Sequence, residues 1–192
     1  MLRNIDIIHG DIKPDNVLIF RDDSSKYIAK VTDFGYSTNF TGNGRINMPA
    51  SPHWNPPESD DGCGFTFTEA QKMDAYSFGM LCLWFLFGGR HSEIKDIPPH
   101  VFEAKRDSVI SFQRLPKDDE QHNILPDLKS KDKLPGLAQW LIMTSETSET
   151  SAGFNDEQKS DLSQFFRLTL IRDWSERSYD FGRLLRLLAP DR

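Results

Sequence analysis

The sequence has 192 residues, a hydrophobic content of 38% and a formal net charge of −6. This length and composition predict one globular domain, 1–192, with a buried core, rather than two independent domains. The negative charge offers no concentrated basic face, so neither nucleic acid nor an anionic membrane is expected as a partner.

The chain shows no feature that directs it to a membrane or an oxidising compartment. Residues 1–20 lack a charged start followed by an apolar stretch and a small-residue cleavage site. The apolar run 75–89 is shorter than the roughly 20 residues of a membrane-spanning helix and is predicted as a core helix. Cys63 and Cys82 lie too far apart to suggest a disulfide framework or a four-ligand metal site. These features favour a cytoplasmic location, with the nucleus also possible.

The N-terminal third is predicted to form one small hairpin and a long loop. Val17 to Phe20 reads as a strand, 21–25 as a polar turn, and Tyr27 to Val31 as the returning strand. Residues 37–61 are rich in Gly, Asn, Ser and Pro, and a loop of this length is typically functional or disordered.

The rest of the chain is predicted to be mainly helical. A helix from about Glu69 to Phe87, apolar nearly all round in its second half, is expected to form the spine of the core. Residues 98–106 suggest a short helix, whereas 115–133 is charged and interrupted by prolines, which favours a loop. Residues 144–153 contain a short low-complexity run, which predicts an exposed loop.

Two amphipathic helices are predicted to close the domain. Apolar residues recur at helical spacing within 156–171 and again within 179–188. The overall expectation is a mainly α fold with a small β-hairpin.

The residues with the clearest chemistry flank the hairpin. The antiparallel geometry brings the start of the first strand beside the end of the second, so Asn16 and Asp33 are expected to be neighbours. An amide oxygen and a carboxylate are hard ligands that suit Mg²⁺ together with water and phosphate. Asp11 could accept the proton of an incoming hydroxyl, and Lys13 offers a positive charge to a phosphate. The simpler alternative is a surface hairpin with acidic flanks.

The stretch HGDIKPDN at 9–16, followed by DFG at 33–35, resembles the protein-kinase catalytic loop H-R-D-L-x-x-x-N and the magnesium-binding D-F-G. The resemblance implies that Asp11 is the catalytic base and that Asn16 and Asp33 hold the Mg²⁺ that accompanies ATP. It implies that Lys13 matches the lysine of serine/threonine kinases and contacts the phosphate. His9 would support the loop.

A third match is SPHWNPPE at 51–58, which resembles the end of the kinase activation segment, T-P-x-Y-x-A-P-E. The resemblance makes 33–58 the activation segment and Ser51 the hydroxyl that bridges Asp11 and Lys13. The loop with Pro52 and Trp54 would receive the substrate peptide. Considered alone, the stretch reads as a proline turn.

Two further matches concern support of the site. DAYSFG at 74–79 resembles D-x-W-S-x-G, which implies that Asp74 anchors the backbone of the catalytic loop. RDWSER at 172–177 resembles the D-P-x-x-R segment, which implies a buried ion pair between Arg177 and Glu58. Without the family, Asp74 is an acidic residue near a helix start and Arg177 a surface charge.

The sequence departs from the family at two places. Gly10 stands where many kinases have an arginine that grips a phosphorylated activation loop, so Thr38 and Thr41 are read as surface threonines rather than regulatory sites. Only eight residues precede His9, which leaves no place for the glycine-rich loop, the strand lysine or its glutamate. Residues 28–30 and 42–44 resemble these motifs only in letters.

Three functions follow from these patterns. The first is a serine/threonine protein kinase that uses ATP and Mg²⁺ on a protein substrate, represented by a C-terminal lobe without the N-terminal lobe and weak or inactive by itself. The second is a non-catalytic, pseudokinase-like binding module. The third, a metal-binding or structural protein unrelated to kinases, is disfavoured because four motif matches occur in the kinase order. No feature of the sequence bears on oligomeric state.

Overall fold

A computed structural model describes residues 7–39, 44–49, 51–60, 62, 64–88, 97–102, 108–112, 115, 117–145 and 153–189. Cys63 and Thr41 lie outside these residues, as does most of the predicted low-complexity loop. Six α-helices and four short strands are seen in the described part of the chain. The helices are α1 Phe67–Phe87, α2 Lys117–Glu120, α3 Leu125–Ser130, α4 Leu134–Met143, α5 Asp156–Leu170 and α6 Phe181–Leu188.

The predicted hairpin is formed by β2 (Val17–Arg21) and β3 (Tyr27–Val31), which pair antiparallel with Val17 opposite Val31. Its strands are rich in β-branched and aromatic residues, which favour a pleated surface. The Asp22 carboxylate closes the turn by accepting the backbone N–H groups of Ser24 and Lys26 at 3.0 and 2.8 Å. This register places the residue before β2 next to the residue after β3.

A second two-stranded sheet joins β1 (Ile7–Ile8) to β4 (Thr38–Asn39) in antiparallel pairing. The sequence analysis did not predict these strands, because a two-residue strand shows no periodic pattern. The sheet ties the residues just before the catalytic loop to the start of the long loop that follows the hairpin.

Helix α1 begins two residues before the predicted position because Thr66 and Glu69 form a capping box. The Thr66 hydroxyl accepts the Glu69 N–H at 3.3 Å, and the Glu69 carboxylate accepts the Thr66 N–H at 2.7 Å. The helix packs against α5, and α5 in turn packs against α4 and α6. Buried apolar residues from these helices form the main core, including Tyr76, Met80, Leu83, Leu137, Phe165, Phe166 and Leu184.

The prediction that 115–133 is a loop is wrong, because this stretch contains α2 and α3. Pro126 stands in the first turn of α3, where its missing N–H is tolerated, so it starts a helix instead of interrupting one. Helix α4 was likewise not predicted, and Pro135 occupies the equivalent position there. Of the short helix suggested for 98–106, the described part forms a turn at 98–102.

Within the described part of the chain, no helix combines the length and the apolar character that crossing a bilayer requires.

Candidate active site

The catalytic-loop backbone is anchored by a buried carboxylate from α1. Asp74 accepts the backbone N–H of His9 at 2.7 Å with one oxygen and that of Gly10 at 2.9 Å with the other. Gly10 has φ +85°, a left-handed conformation that glycine adopts without strain. Both the long central helix and this glycine therefore fix the path of the chain just before Asp11.

The environment of Asp74 opposes its ionisation. Burial raises the pKa of Asp74 to about 6, and the two N–H groups from His9 and Gly10 only partly offset that effect. The anchor is therefore a carboxyl group that titrates near neutral pH.

His9 joins the catalytic loop to the end of the hairpin. Its Nδ1 accepts the Asp11 N–H at 3.2 Å, so its Nε2 is the atom that carries hydrogen and donates to the Thr32 carbonyl at 2.9 Å. The ring also packs edge-on against Phe34, with ring centroids 5.1 Å apart. His9 thus has a supporting position, with both ring nitrogens occupied.

Asp11 lies at the centre of a network of side chains. One carboxylate oxygen accepts Lys13 Nζ at 2.6 Å and Asn16 Nδ2 at 3.1 Å, and the other accepts the Ser51 hydroxyl at 2.6 Å. Asn16 Nδ2 also donates to the Asp11 carbonyl at 2.8 Å. The distance from Lys13 Nζ to Ser51 Oγ is 3.5 Å, so Ser51 touches both predicted partners.

These contacts set the charges of the two central residues. Burial raises the pKa of Asp11, but hydrogen bonds from Lys13, Ser51 and Asn16 and the charge of Lys13 outweigh it and lower the pKa below its ordinary value. The hydrogen bond to Asp11 raises the pKa of Lys13 despite partial burial. At neutral pH the pair is a carboxylate and an ammonium.

The hairpin brings the residue before Asp33 to Asn16. The Thr32 N–H donates to the Asn16 carbonyl at 2.9 Å, and Asp33 is the next residue. Asp33 adopts a left-handed conformation, φ +58°, which Asp tolerates better than most residues, and one of its carboxylate oxygens accepts the Gly35 N–H at 3.3 Å. The carboxylate is exposed at the mouth of the site.

The donor atoms fit a magnesium ion. The Asn16 amide nitrogen bonds to Asp11, which leaves its amide oxygen as the available ligand, and Asp33 offers its second carboxylate oxygen. No cluster of three or more His, Cys, Asp or Glu residues occurs within the described ranges. A cation held by one amide oxygen and one carboxylate keeps coordination positions for phosphate and water, as Mg²⁺ usually does.

The segment predicted to receive the substrate peptide, the substrate loop, consists of residues 51–58. At its start, the Ser51 hydroxyl bonds to Asp11, while the following carbonyl of Pro52 accepts Lys129 Nζ at 2.8 Å. Trp54 is only 8% exposed, stacks on Phe112 and meets Trp84 edge-on. The Trp54 indole thus packs into the core beneath the loop, and the expectation that this loop receives the substrate peptide stays a prediction.

The substrate loop ends at the predicted ion pair. Arg177 Nη1 lies 2.5 Å from Glu58 Oε1, and Nη2 lies 3.4 Å from Oε2. The Arg177 side chain is fully buried and that of Glu58 is 12% exposed. The guanidinium also donates to the carbonyls of Ile171 and Arg172. Arg177 is therefore a buried cation with its donors paired, not the surface charge that composition alone suggests.

No sequence pattern indicated a role for Lys129. This residue lies in α3, within the stretch predicted as a loop, and no kinase motif contains it. A charged residue among Leu125 and Leu128, both fully buried, was the available signal, but it required knowing that the stretch was helical.

The chain is similar to known protein kinases. A family model described as the protein kinase domain matches residues 1–178. The chain is 30% identical to "Aurora kinase A-B" of Xenopus laevis over 154 residues, which cover 73% of this chain and 34% of the relative. It is 32% identical to "Aurora kinase" of Patiria pectinifera over 117 residues, covering 54% of this chain and 27% of the relative.

A fungal relative gives the same result. The chain is 30% identical over 128 residues to "Serine/threonine-protein kinase ste20" of Emericella nidulans, covering 64% of this chain and 13% of that protein. The chain thus spans about a third or less of the length of these relatives. With a family match over most of its length, the chain belongs to the protein kinase family of the eukaryotic serine/threonine type.

Proposed function

We propose that this chain carries the phosphoryl-transfer site of a protein kinase that moves the γ-phosphoryl group of ATP to a serine or threonine hydroxyl of a protein substrate. The observation that supports this most is the network around Asp11. Its carboxylate contacts Lys13, Asn16 and Ser51 at once, and Asn16 is joined to the residue before Asp33 by a backbone hydrogen bond.

In this proposal Asp11 and Lys13 act on the incoming hydroxyl. Asp11 stays ionised at neutral pH because its pKa is lowered, so its carboxylate is free to take the proton that the hydroxyl loses as its oxygen bonds to phosphorus. Lys13 stays cationic and sits 2.6 Å from Asp11, where its charge can stabilise the transferred phosphoryl group. The leaving group is ADP.

Asn16 and Asp33 would hold Mg²⁺ in this site. The ion supplies neutralisation of phosphate charge when bound. The amide and carboxylate oxygens that remain available on these residues fit its preference for hard oxygen ligands. Asn16 also orients Asp11 through its two hydrogen bonds, so it couples the metal position to the base.

The substrate preference is inferred from Lys13 and Ser51. A lysine two residues after the aspartate, bonded to it and close to a hydroxyl of the substrate loop, is the arrangement that the family resemblance associates with serine and threonine acceptors. The substrate loop is fixed at both ends, so a peptide laid along it would present its hydroxyl to Asp11 in one orientation.

We expect transfer by this chain alone to be weak. The sequence contains no G-x-G-x-x-G motif to cover the phosphates, so Lys13, Asn16 and Asp33 would have to hold the nucleotide largely by themselves. The hairpin beside them leaves Leu18, Ile19 and Phe20 between 44% and 59% exposed. The same exposed apolar strand favours the second candidate, a kinase-derived lobe that binds a protein partner without turnover.

A transfer assay distinguishes the two candidates. The purified chain is incubated with γ-labelled ATP, Mg²⁺ and a mixture of protein substrates, and compared with Asp11→Asn. Asp15→Asn is the matched control, because Asp15 is an exposed carboxylate of the same loop. We expect Asp11→Asn to lower the transfer rate by about 10² to 10⁴-fold and Asp15→Asn to leave it nearly unchanged.

Two results would count against the kinase proposal. Equal transfer by the wild-type chain and Asp11→Asn would show that another site, or a contaminant, does the chemistry. No transfer by any variant, combined with saturable binding of a protein partner that Asp11→Asn does not change, would favour the binding module.

A further inference from the structure

Lys129 holds the start of the substrate loop through a hydrogen bond to its backbone. It projects from the last turn of α3, is 9% exposed, and donates from Nζ to the Pro52 carbonyl at 2.8 Å. A buried ammonium is costly unless polar partners compensate it, so this contact is a specific one and not an incidental surface approach. The carbonyl belongs to the residue that directly follows Ser51.

The same aromatic ring contacts the two cations that hold the substrate loop. Lys129 Nζ lies 5.9 Å from the ring centroid of Tyr76, and the guanidinium carbon of Arg177 lies 4.7 Å from it. Lys129 holds the loop at Pro52, and Arg177 holds it at Glu58. Tyr76 is a fully buried residue of α1, so these contacts fix the positions of both cations relative to the central helix.

The Lys129 contact bears on the position of the Ser51 hydroxyl. The Ser51 carbonyl accepts the N–H groups of Trp54 at 2.8 Å and Asn55 at 3.0 Å, which makes 51–55 a tight turn. Lys129 binds the carbonyl inside this turn. Fixing that peptide group fixes the direction in which the Ser51 side chain reaches Asp11, 2.6 Å away.

We propose that Lys129 is a positioning residue for the substrate loop, acting through the Pro52 carbonyl, and that it sets the affinity for the protein substrate. The role in substrate affinity rests on the proposed function of the loop, whereas the role in ordering 51–55 does not. Among the described residues, Lys129 bonds to the Pro52 carbonyl and lies over the Tyr76 ring, so we expect it to affect peptide binding more than nucleotide binding.

Amide hydrogen exchange tests the ordering without requiring catalysis. The variants are Lys129→Met, which removes the donor, and Lys129→Arg, which keeps a cation that can donate to the carbonyl. Lys131→Met is the matched control, because Lys131 lies two residues on, is 58% exposed and pairs only with the exposed Asp127 among the ion pairs of the described residues. The reporters are the amides of Trp54 and Asn55, compared with the Leu184 amide, which donates to the Asp180 carbonyl at the start of α6.

We expect Lys129→Met to speed exchange at Trp54 and Asn55 by about tenfold, with no change at Leu184, and Lys129→Arg to restore slow exchange. Lys131→Met should match the wild type. If Lys129→Met exchanges like Lys131→Met, or if all three reporters speed up equally, the proposal is overturned. Should Lys129→Met fail to fold, Lys129→Gln serves in the same comparison with the same two outcomes.

Steady-state kinetics test the role in substrate affinity. The proposal expects Lys129→Met to raise KM for the protein substrate with KM for ATP unchanged, and Lys129→Arg to restore it. Equal effects on both KM values would refute it. Faster local exchange in a chain that transfers no phosphate would uphold the ordering role and reject the kinase function, so the two failures are distinguishable.

Discussion

Arg177 shows how one buried side chain can hold a loop more than a hundred positions away in sequence. Its guanidinium pairs with Glu58 and also donates to the carbonyls of Lys72, Ile171 and Arg172, so four acceptor groups depend on it. Such a pair adds little net stability compared with apolar residues of the same shape, but removing one member leaves the other buried without a partner. The value of the pair lies in fixing the end of the substrate loop.

Arg177→Met should therefore be strongly destabilising. We expect a loss of about 3–5 kcal/mol in the free energy of unfolding, because Glu58 and three carbonyls lose their donor. Urea denaturation followed by circular dichroism measures it. As the control, Lys131→Met breaks an ion pair whose side chains are 58% and 56% exposed, and it should cost less than about 1 kcal/mol. Equal losses for the two variants would contradict the account.

Asp74 connects stability to pH at a single residue. Its pKa in the folded chain is about 6, above the ordinary value of 3.8. Between these values the folded state holds a proton that the unfolded state has released. The stabilisation from this group is thus complete below the lower value and is lost as the pH rises through the higher one.

The expected size of this effect is about 3 kcal/mol between the two limits. Asn does not titrate, so the stability difference between wild type and Asp74→Asn isolates the contribution. We predict that the wild-type advantage shrinks as the pH rises from about 4 to about 7, as measured by urea denaturation at several pH values. A difference that stays constant, or grows with pH, would show that folding does not raise the pKa of Asp74.

At the scale of elements, the crossing of α1 and α5 depends on a missing side chain. A Cβ atom at Gly79 would lie 2.5 Å from the Thr169 hydroxyl oxygen, 2.7 Å from its Cβ and 2.9 Å from a Leu170 methyl carbon. These separations are well below van der Waals contact. Helices α1 and α5 can approach this closely only because residue 79 is glycine.

Gly79→Ala should consequently destabilise the fold although alanine favours helices. We expect a loss of about 1–3 kcal/mol from overpacking, read from the thermal or urea transition. Gly136→Ala in α4 is the matched control, since a Cβ there would meet, among the residues that the structure describes, only Val101, at 3.9 Å. That variant should be neutral or more stable by up to about 1 kcal/mol. Loss of stability in the control and not at position 79 would refute this packing argument.

Elements with local signals could be predicted from sequence, and elements without them could not. The hairpin of β2 and β3 and the helices α1, α5 and α6 each carry a clear period or a cap in their own residues. Helix α2 is wholly charged, and α3 and α4 each contain a proline, which read as loop signals. Only their position in the first turn makes these two prolines compatible with a helix.

At the scale of the whole molecule, some residues of the site have positions that follow from local sequence. The positions of others depend on contacts that are distant in sequence. Asp11, Asn16 and Asp33 lie within one loop and hairpin, so their convergence follows from antiparallel geometry. The burial of Trp54 and the reach of Lys129 to Pro52 depend on contacts across 58 and 77 positions of chain, which no local pattern records. Arg177 and Glu58 are also far apart in sequence, and only the family resemblance could predict their ion pair.

We propose that residues 11–16 and 32–35 come together to form one site for a magnesium-bound triphosphate. Paramagnetic Mn²⁺ in place of Mg²⁺, added with ATP to the isotope-labelled chain, tests it directly because the ion broadens nearby amide signals. We predict broadening at residues 11–16 and 32–35, sharp signals throughout α5 and α6, and loss of the effect in Asp33→Asn. Broadening centred on any other segment, or an unchanged spectrum at saturating nucleotide, would contradict the account.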